Sequence, residues 1–189
     1  VMNEAAALAR TLERAVTYRG SKGPTALPAG VRVAGIADEP AIWELMMMEA
    51  QEHAWLPISR EKIASVMRRG TRPNETGSRE GVIGLIAAED GRMVACVGIG
   101  ILQPWHSEVW CCEEVWSFVH PDHRKAKDGY AKKLIDFSKW WAESLNMPLF
   151  MGVFSNERTI GKVRMYARHM PFMGGFFLHL PPGFSMEGK

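Results

Sequence analysis

The stretch of this sequence with the clearest chemical meaning is EEVWSFVHPDHRKAKDGYAKKLIDF, at 113–137. An apolar strand pattern ends there in a His-Pro-Asp-His turn, and a long helical pattern begins at Gly129. The first amides of a helix have no intrahelical partner, and with the helix dipole they form a site for anions. Arg124, Lys125 and Lys127 add positive charge, and the glycine lets a bulky phosphate approach the backbone closely. The segment therefore predicts a pyrophosphate site.

The alternative interpretation of this segment is an ordinary turn between a strand and a helix, with its basic side chains in solvent. Helix starts meet anions opportunistically, so local physics alone does not separate a ligand site from a solvated rim. The choice between them depends on the elements that surround the segment.

Composition and charge bound the class of protein. The chain has 189 residues, of which 47% are hydrophobic and 23% charged, as in one globular domain with a short appendage. A formal net charge of +2 is too small to indicate nucleic-acid binding, which depends on clustered positive charge. No apolar run approaches the roughly 20 residues that span a bilayer, and no signal-peptide pattern is found. We expect a cytoplasmic protein that binds neither nucleic acid nor membrane.

The thiols and imidazoles suggest neither a metal site nor a nucleophile. Three cysteines, two of them adjacent, lack the spacing of a disulfide framework or a zinc site. Cys111 and Cys112 have no His or Asp partner at a spacing typical of a thiol nucleophile. His120 and His123 flank a Pro-Asp turn with no third ligand nearby. We expect reduced core thiols and no bound metal.

The N-terminal part of the chain is predicted to stand apart from the main domain. Residues 4–19 have the composition and spacing of an amphipathic helix, and 20–30 form a linker rich in Gly and Pro. The helix is expected to pack on its own domain or, in a homodimer, against a second copy of the chain. We therefore divide the chain into a helix and linker at 1–30 and a domain at 31–189.

The domain alternates between strand and helix patterns. Strands are predicted at 31–36, 81–90, 92–102, 113–120, 148–155 and 171–180. Helices are predicted from the N-cap Asp38 to about Ala54, from Ser59 to a polar loop at 70–80, at 129–146 and at 158–170. The second and third strands meet at Asp90-Gly91, which suits a hairpin turn.

The order of these elements indicates the topology of the sheet. The connection from 113–120 through a helix to 148–155 requires a parallel pair, whereas the strands before it form an antiparallel meander. The expected fold class is α/β, in the sense of a mixed, mostly antiparallel sheet flanked by helices.

In the segment at 113–137, which we call the anion segment, the sequence resembles the GNAT acetyltransferase superfamily. In that family a strand ends in V-x-P-x-x-R, and R/Q-x-x-G-x-G/A begins a long helix. The residues from Val119 to Arg124 match the first motif, and Gly129-Tyr130-Ala131 matches the end of the second. KVRMYARHMPF, at 162–172, is similar to the family's A-x-x-L-Y-x-x-x-G-F helix end. The resemblance extends over 31–180 in element order and implies the acyl-CoA N-acyltransferase fold.

The resemblance implies acetyl-CoA as a cosubstrate, although the loop departs from the family pattern. If Arg124 is the first residue of the second motif, the loop is two residues longer than usual. If the spacing to Gly129 is kept instead, Ala126 takes the Arg/Gln position. We prefer the first alignment. It assigns cofactor binding to Phe118, Val119, Arg124, Lys125, Lys127, Gly129, Tyr130, Ala131, Asn156 and Lys162.

Acyl transfer from a thioester to an amine has three requirements. The amine must lose a proton, because an ammonium group with a pKa of about 10 is no nucleophile. The oxyanion needs a donor and the thiolate a proton. The family separates the strands matching 113–120 and 148–155 so that pantetheine lies between them, with backbone donors near Phe118 and Val119. Tyr166 falls where many members carry the thiolate's proton donor; a core tyrosine is the alternative.

Glu113 and Glu114 are the candidate bases, acting directly or through water. They point to opposite faces of a strand, so only one can serve, and the sequence does not choose. Both could instead be polar residues at a strand end. The family's substrate-side wall usually lies where the first helix ends, here at Glu49 and His53, and Trp105 lies in a nearby loop. These three are the predicted substrate-binding residues, with helix-end polarity or cover for the core as the alternatives.

The resulting hypothesis is an acetyl-CoA-dependent N-acetyltransferase. It would acylate a primary amine, in a small molecule or a peptide, by direct attack in a ternary complex. The alternative is a non-catalytic coenzyme-A-binding or adaptor protein on the same scaffold, because a fold does not guarantee an activity. The sequence does not identify the amine.

Overall fold

A computed structural model of the chain describes residues 26–52, 57–72, 80–125, 129–153 and 159–170. The chain divides into two compact units, one of 23–51 and 59–152 and the other of 1–22, 52–58 and 153–189. We call the first the sheet unit, because it holds every strand of the described residues. The predicted helix at 4–19 and the predicted strand at 171–180 lie outside the described residues.

The sheet has five strands, whose order in the sheet is their order in the chain. They are β1 (Arg32–Val33), β2 (Gly81–Ala87), β3 (Met93–Leu102), β4 (Cys111–Val119) and β5 (Leu149–Phe150). The first four pair antiparallel, and β5 joins β4 in parallel. Gly91, at φ +83°, makes the turn between β2 and β3 in a conformation that glycine adopts readily. The predicted mixed sheet, hairpin and parallel pair are confirmed.

Four α-helices accompany the strands in the described residues. They are α1 (Glu39–Glu52), α2 (Arg60–Thr71), α3 (Tyr130–Ser144) and α4 (Thr159–Tyr166). Ser59 caps α2 as predicted, because its hydroxyl accepts a hydrogen bond from the amide of Lys62 at 3.3 Å. No helix in the described ranges combines the length and the apolar character that crossing a membrane requires.

The start of α1 differs from the prediction that Asp38 is its N-cap. Asp38 ends a short 3-10 turn, Ile36–Asp38, and its carboxylate accepts the Gly35 amide at 2.9 Å and pairs with Arg32. The start of α1 is held instead by Glu39, whose carboxylate accepts from the Thr71 hydroxyl and the Arg72 guanidinium at the end of α2. These bonds fasten the two helices to one another.

The sheet is covered on both faces by apolar side chains. On the first face, α3 packs on a cluster that includes Val82, Val97, Cys112, Leu134 and Phe137. On the second face, α1 and α2 pack on a cluster that includes Ile42, Met67, Cys96, Trp116 and Phe118. We call these the α3 face and the α1/α2 face.

Two strands are less than half as long as predicted, and β2 ends at Ala87 rather than Asp90. β1 ends at Val33 rather than Ile36, because Gly35 already begins the 3-10 turn. β5 covers two residues of the predicted 148–155, and within the described residues it pairs only with Cys112 and Glu113. The chain from Met151 to Val153 is described but is not part of a strand. The short β5 matters for the functional site.

Candidate functional site

A bulge in β4 decides which carboxylate faces which side of the sheet. Gly98 pairs with Trp116 and Ile99 with Glu114, so Val115 is the extra residue between them. A bulge shifts the alternation of side chains by one position. Cys112 therefore packs on the α3 face and Trp116 on the α1/α2 face, although an even number of residues separates them. Glu113 falls on the α1/α2 face and Glu114 on the α3 face.

A cavity of about 220 Å³ lies on the α1/α2 face, next to Glu113. Gly81, Gly100 and Glu113 are successive partners across β2, β3 and β4, and all three line it. The two glycines leave the sheet without side chains there, so the backbone forms the floor. Val115 and the buried Trp116 form part of the wall, whereas Glu114 is not among the lining residues.

The parallel pairing of β4 with β5 ends beside this cavity. The ladder joins Cys112 to Leu149 and Glu113 to Phe150, and the Cys112 amide donates to the Pro148 carbonyl at 2.8 Å. β4 continues for six residues beyond Glu113, as far as Val119, with its β3 edge paired. Within the described residues, no pairing with β5 continues along this second half of β4.

The direction of the amides along this half of β4 follows from one hydrogen bond. The His120 amide donates to the Val94 carbonyl of β3 at 2.8 Å. Because amide directions alternate along a strand, the amide of Val119 points away from β3, toward the β5 side, and that of Phe118 points toward β3. Of the two predicted backbone donors, Val119 is therefore the one directed away from β3, toward the β5 side of β4.

The segment predicted to bind an anion forms a 3-10 turn followed by a helix start. Pro121–His123 is the turn, and Gly129, at φ +60° and ψ +46°, is the N-cap of α3. The described residues give this cap no side-chain hydrogen bond, and the first turn of α3 has no acidic residue. The amides of the first turn therefore lie at the end of β4 without an acidic neighbour in that turn.

The family model for the acetyltransferase (GNAT) family matches residues 43–170. The chain belongs to this family. The match includes β2 to β5 and the long helix α3, and therefore the cavity, the bulge and the anion segment. No curated protein sequence matches the chain at a significant level.

Solved structures with the same fold include acetyltransferases. An integron cassette protein from the mobile metagenome of Cole Harbour Salt Marsh has a TM-score of 0.59 at 19% identity, over 85% of this chain and 95% of its own. Ribosomal-protein-alanine N-acetyltransferase from Brucella melitensis biovar Abortus has a TM-score of 0.57 at 16% identity, over 80% and 96%. AAC(6')-Iy, in complex with the bisubstrate analog CoA-S-monomethyl-acetylneamine, has a TM-score of 0.57 at 15% identity, over 80% and 97%. At these identities the likeness shows the fold.

The structure places seven of the ten predicted cofactor residues of this GNAT chain at the end of β4 and the start of α3. Arg124 is directed back to the strand: its Nε donates to the Val119 carbonyl at 2.8 Å, and its guanidinium lies over the Phe118 ring. Lys125 is exposed. Tyr130 and Ala131 form the first turn of α3, and Tyr130 lies 5.6 Å from Lys133 Nζ by its ring centroid. Lys127 lies outside the described residues.

The remaining predicted site residues belong to other elements of the chain. Tyr166 is buried at the end of α4, and Lys162 is on the same helix, in the second unit. Glu49 lies on α1, near enough to Cys96 for its carboxylate to affect that thiol. Trp105 is 96% exposed and does not line the cavity. Asn156 and His53 lie outside the described residues.

The thiols are placed as core residues. All three cysteines are buried and free, and burial raises the pKa of Cys96 to about 12 and that of Cys112 to about 11. At neutral pH these two are therefore protonated thiols with little nucleophilic character. In the described ranges, no group of three or more His, Cys, Asp and Glu side chains is placed to hold a metal ion.

Sequence reasoning missed three features of the site. The bulge at Val115 has no signal in the sequence, because it depends on how β4 pairs with β3. Arg69 of α2 and Glu80 just before β2 line the cavity but are distant from every motif. The glycine floor had a signal, since Gly81 and Gly100 interrupt apolar strands, and an isolated strand glycine often marks a place where another group approaches closely.

Proposed function

We propose that this protein is an acetyl-CoA-dependent N-acetyltransferase that transfers an acetyl group to a primary amine, in a small molecule or a peptide, by direct attack in a ternary complex. One observation carries the proposal. Glu113 lines the cavity at the residue where the pairing of β4 with β5 ends. A carboxylate is thus adjacent to a space for an acceptor and to the half of β4 that has no β5 partner among the described residues, where a thioester could lie.

The donor side of the site has groups that suit coenzyme A. The first-turn amides of α3 and the exposed Lys125 would hold the pyrophosphate, and Gly129 supplies the left-handed backbone that starts the helix. Among the described residues outside its immediate chain neighbours, a methyl group at Gly129 would approach Lys132 Cβ at 3.9 Å, an ordinary van der Waals contact. Bound acetyl-CoA would supply an activated acyl carbonyl with a thiolate leaving group.

The residues of β4 would act on the two reacting partners. The Glu113 carboxylate would accept a proton from the acceptor ammonium, directly or through water, so that the neutral amine can attack. The Val119 amide, directed toward the β5 side, would donate to the oxygen on which charge develops. Arg124, bonded to the Val119 carbonyl and lying over the Phe118 ring, would hold the backbone on either side of this amide in place. For Tyr166, the proposed role is to protonate the departing thiolate.

Binding and turnover test the proposal separately. Isothermal titration with acetyl-CoA should show binding at micromolar concentrations, and heat effects absent at hundreds of micromolar would contradict it. Thiol release from acetyl-CoA in the presence of a panel of amines should then be sustained and dependent on the amine. Binding without release would instead favour a non-catalytic coenzyme-A-binding protein.

The anion segment can be tested with a matched pair of lysines. Lys125→Ala should weaken acetyl-CoA binding about threefold, since one exposed charge contributes about 0.2–1 kcal/mol. Lys62→Ala, at an exposed position on α2, should leave the affinity unchanged. Equal affinities for both variants would remove Lys125 from the site. The cytoplasmic location, the separate helix and linker at 1–30 and the homodimer stay predictions.

A further inference from the structure

Three of the side chains that line the cavity are charged. They are Arg69 on α2, Glu80 just before β2 and Glu113 on β4. All three are exposed, and the structure gives none of their side chains a hydrogen bond or an ion pair within the described residues. Exposed charges with no partner among the described residues are accessible to a ligand.

The cation and the candidate base lie on opposite sides of the cavity. Arg69 is on the β2 side, because a Cβ at the neighbouring Gly70 would come within 2.5 Å of Ile83 of β2. Glu113 lies two strands away, in register with Gly81 of β2. At about 4.8 Å between strands, the two sides are separated by about 10 Å of backbone. The floor between them is the backbone of Gly81 and Gly100.

The size of the cavity restricts the acceptor. A volume of about 220 Å³ is below the roughly 300–1,000 Å³ typical of pockets for drug-sized ligands. The part of the acceptor that lies inside the cavity is therefore small, and its amine and any second polar group must both lie within reach of the lining charges.

We propose that the acceptor is a small amine that also carries a carboxylate, with the carboxylate bound by Arg69 and the amine held at Glu113. This inference rests on the proposed function for the direction of acyl transfer. Arg binds carboxylates with strong, often paired hydrogen bonds. A polyamine or an aminoglycoside would bring a further ammonium against Arg69, where like charges repel.

Glu80 adds a second negative charge to the lining and so favours an acceptor with a second ammonium group. With one Arg and two Glu, the charged lining has a formal charge of −1. A diamino acid such as lysine, with two ammonium groups and one carboxylate, complements all three side chains. A simple amino acid complements Arg69 and Glu113 only.

The experiment compares amines that differ by one carboxylate. The probes are L-lysine with 1,5-diaminopentane and L-phenylalanine with 2-phenylethylamine, each assayed by thiol release at saturating acetyl-CoA. In the wild-type protein we expect kcat/KM to favour the acid of at least one pair by on the order of tenfold. A kcat/KM for each simple amine that equals or exceeds that of its acid would overturn the proposal.

Two variants and a control locate the effect. Arg69→Gln should bring the ratio of kcat/KM for the acid to kcat/KM for its simple amine close to one. Arg68→Gln, at the adjacent exposed residue outside the lining, should leave this ratio as in the wild type. Glu80→Gln removes a negative charge from the same side and should preserve or raise the preference for the acid. Comparing each variant with the wild type cancels the intrinsic difference in amine basicity. An unchanged preference in Arg69→Gln would overturn the proposal.

A binding measurement separates this inference from the proposed function. The same four probes are titrated into the protein saturated with coenzyme A. If acids bind more tightly than their amines and Arg69→Gln abolishes the difference, the assignment of the cavity holds even when no transfer occurs, and the proposed function fails alone. If no acid binds more tightly than its amine and no transfer favours an acid, the assignment of the cavity fails.

Discussion

The two faces of the sheet are built from the same strands, and the cavity lined by Glu113 lies on the α1/α2 face. On the α3 face, Phe137 covers Gly84, where a Cβ would come within 2.6 Å of the ring. On the α1/α2 face, Trp116 covers Gly98 in the same manner, with a Cβ distance of 2.0 Å. Farther along that face, Gly81 and Gly100 line the cavity. Strand glycines thus admit an aromatic ring in one place and a ligand space in another.

The largest effect, on turnover, is expected from Glu113 and Glu114, whose side chains lie on opposite faces of β4. Glu113→Gln should lower kcat about a hundredfold or more, because a general base typically contributes a factor of about 10²–10⁴. Glu114→Gln should retain most of the turnover, since Glu114 points to the α3 face and does not line the cavity. Thiol release measures both, with acetyl-CoA affinity as the control for folding. A large loss confined to Glu114→Gln would reverse the assignment of the faces.

The next effect concerns stability at the covered glycines. Gly84→Ala and Gly98→Ala should each lower the free energy of unfolding by about 1–3 kcal/mol, because the new methyl group overlaps an aromatic ring. Gly100→Ala should have a smaller effect, since its Cβ would meet only Val115 Cγ2, at 3.2 Å. Urea unfolding measures all three.

The same three variants also separate packing from function. Gly100→Ala should raise KM for the acceptor although the protein remains stable, because the methyl group occupies the floor of the cavity. Gly84→Ala should leave KM unchanged although it destabilises the fold, because it lies on the α3 face. Parallel changes in KM for both would indicate that the two faces are not functionally distinct.

A smaller effect on stability, which depends on pH, is expected from the carboxyl groups at the start of α1. The hydrogen bond from Arg72 lowers the pKa of Glu39, and the one from Arg32 lowers that of Asp38. Carboxyl groups with a lowered pKa stabilise the fold above their unfolded pKa, and this contribution is lost as the pH falls below about 4. Glu39→Gln should therefore be less stable than the wild type at pH 7 by up to about 1 kcal/mol.

The pH dependence of this difference is the decisive measurement. The difference in the free energy of unfolding between wild type and Glu39→Gln, measured with urea, should become smaller as the pH falls, because protonation of Glu39 in the wild type also removes its charge. Asp136→Asn, which breaks an exposed ion pair with Lys132 on α3, provides a matched control with a smaller effect. A gap that widens in acid would contradict the assignment of the Glu39 pKa.

The smallest effect is expected in the alkylation of two buried thiols, one on each face of the sheet. Cys96 lies in the α1/α2 cluster and Cys112 in the α3 cluster, with pKa values raised to about 12 and about 11. At pH 8 only about 10⁻⁴ and 10⁻³ of each is thiolate. Both should react slowly with iodoacetamide in the folded protein and rapidly in urea. Fast labelling of Cys96 alone would show that the α1/α2 face opens more readily.

The sequence predicted most of the architecture, for identifiable reasons. The hairpin at Gly91, the N-cap Ser59 and the helix α3 depend on local chemistry, and the structure has them within a few residues of the predictions. Predictions that required pairing between distant segments were less accurate. β5 was predicted as eight residues and has two, because its length depends on where it leaves β4.

The site was predicted in part. The strand with the paired glutamates and the helix start at Gly129 could be found because each is a continuous motif. Arg69 and Glu80 could not, because they reach the cavity only after α2 packs on β2 at Gly70 and Ile83. Trp105, predicted to bind substrate, is exposed in the structure and lies outside the cavity lining.

By itself, the order of residues determined the mixed sheet, the anion segment and the pair of candidate bases, because periodicity, turn chemistry and helix-start amides are local properties. Only the tertiary structure chose the face of the sheet on which each of the two glutamates lies. That choice depends on the bulge at Val115, which exists only in the register between β3 and β4. A shift of one residue exchanges the two faces of a strand, and no local pattern in β4 encodes the shift.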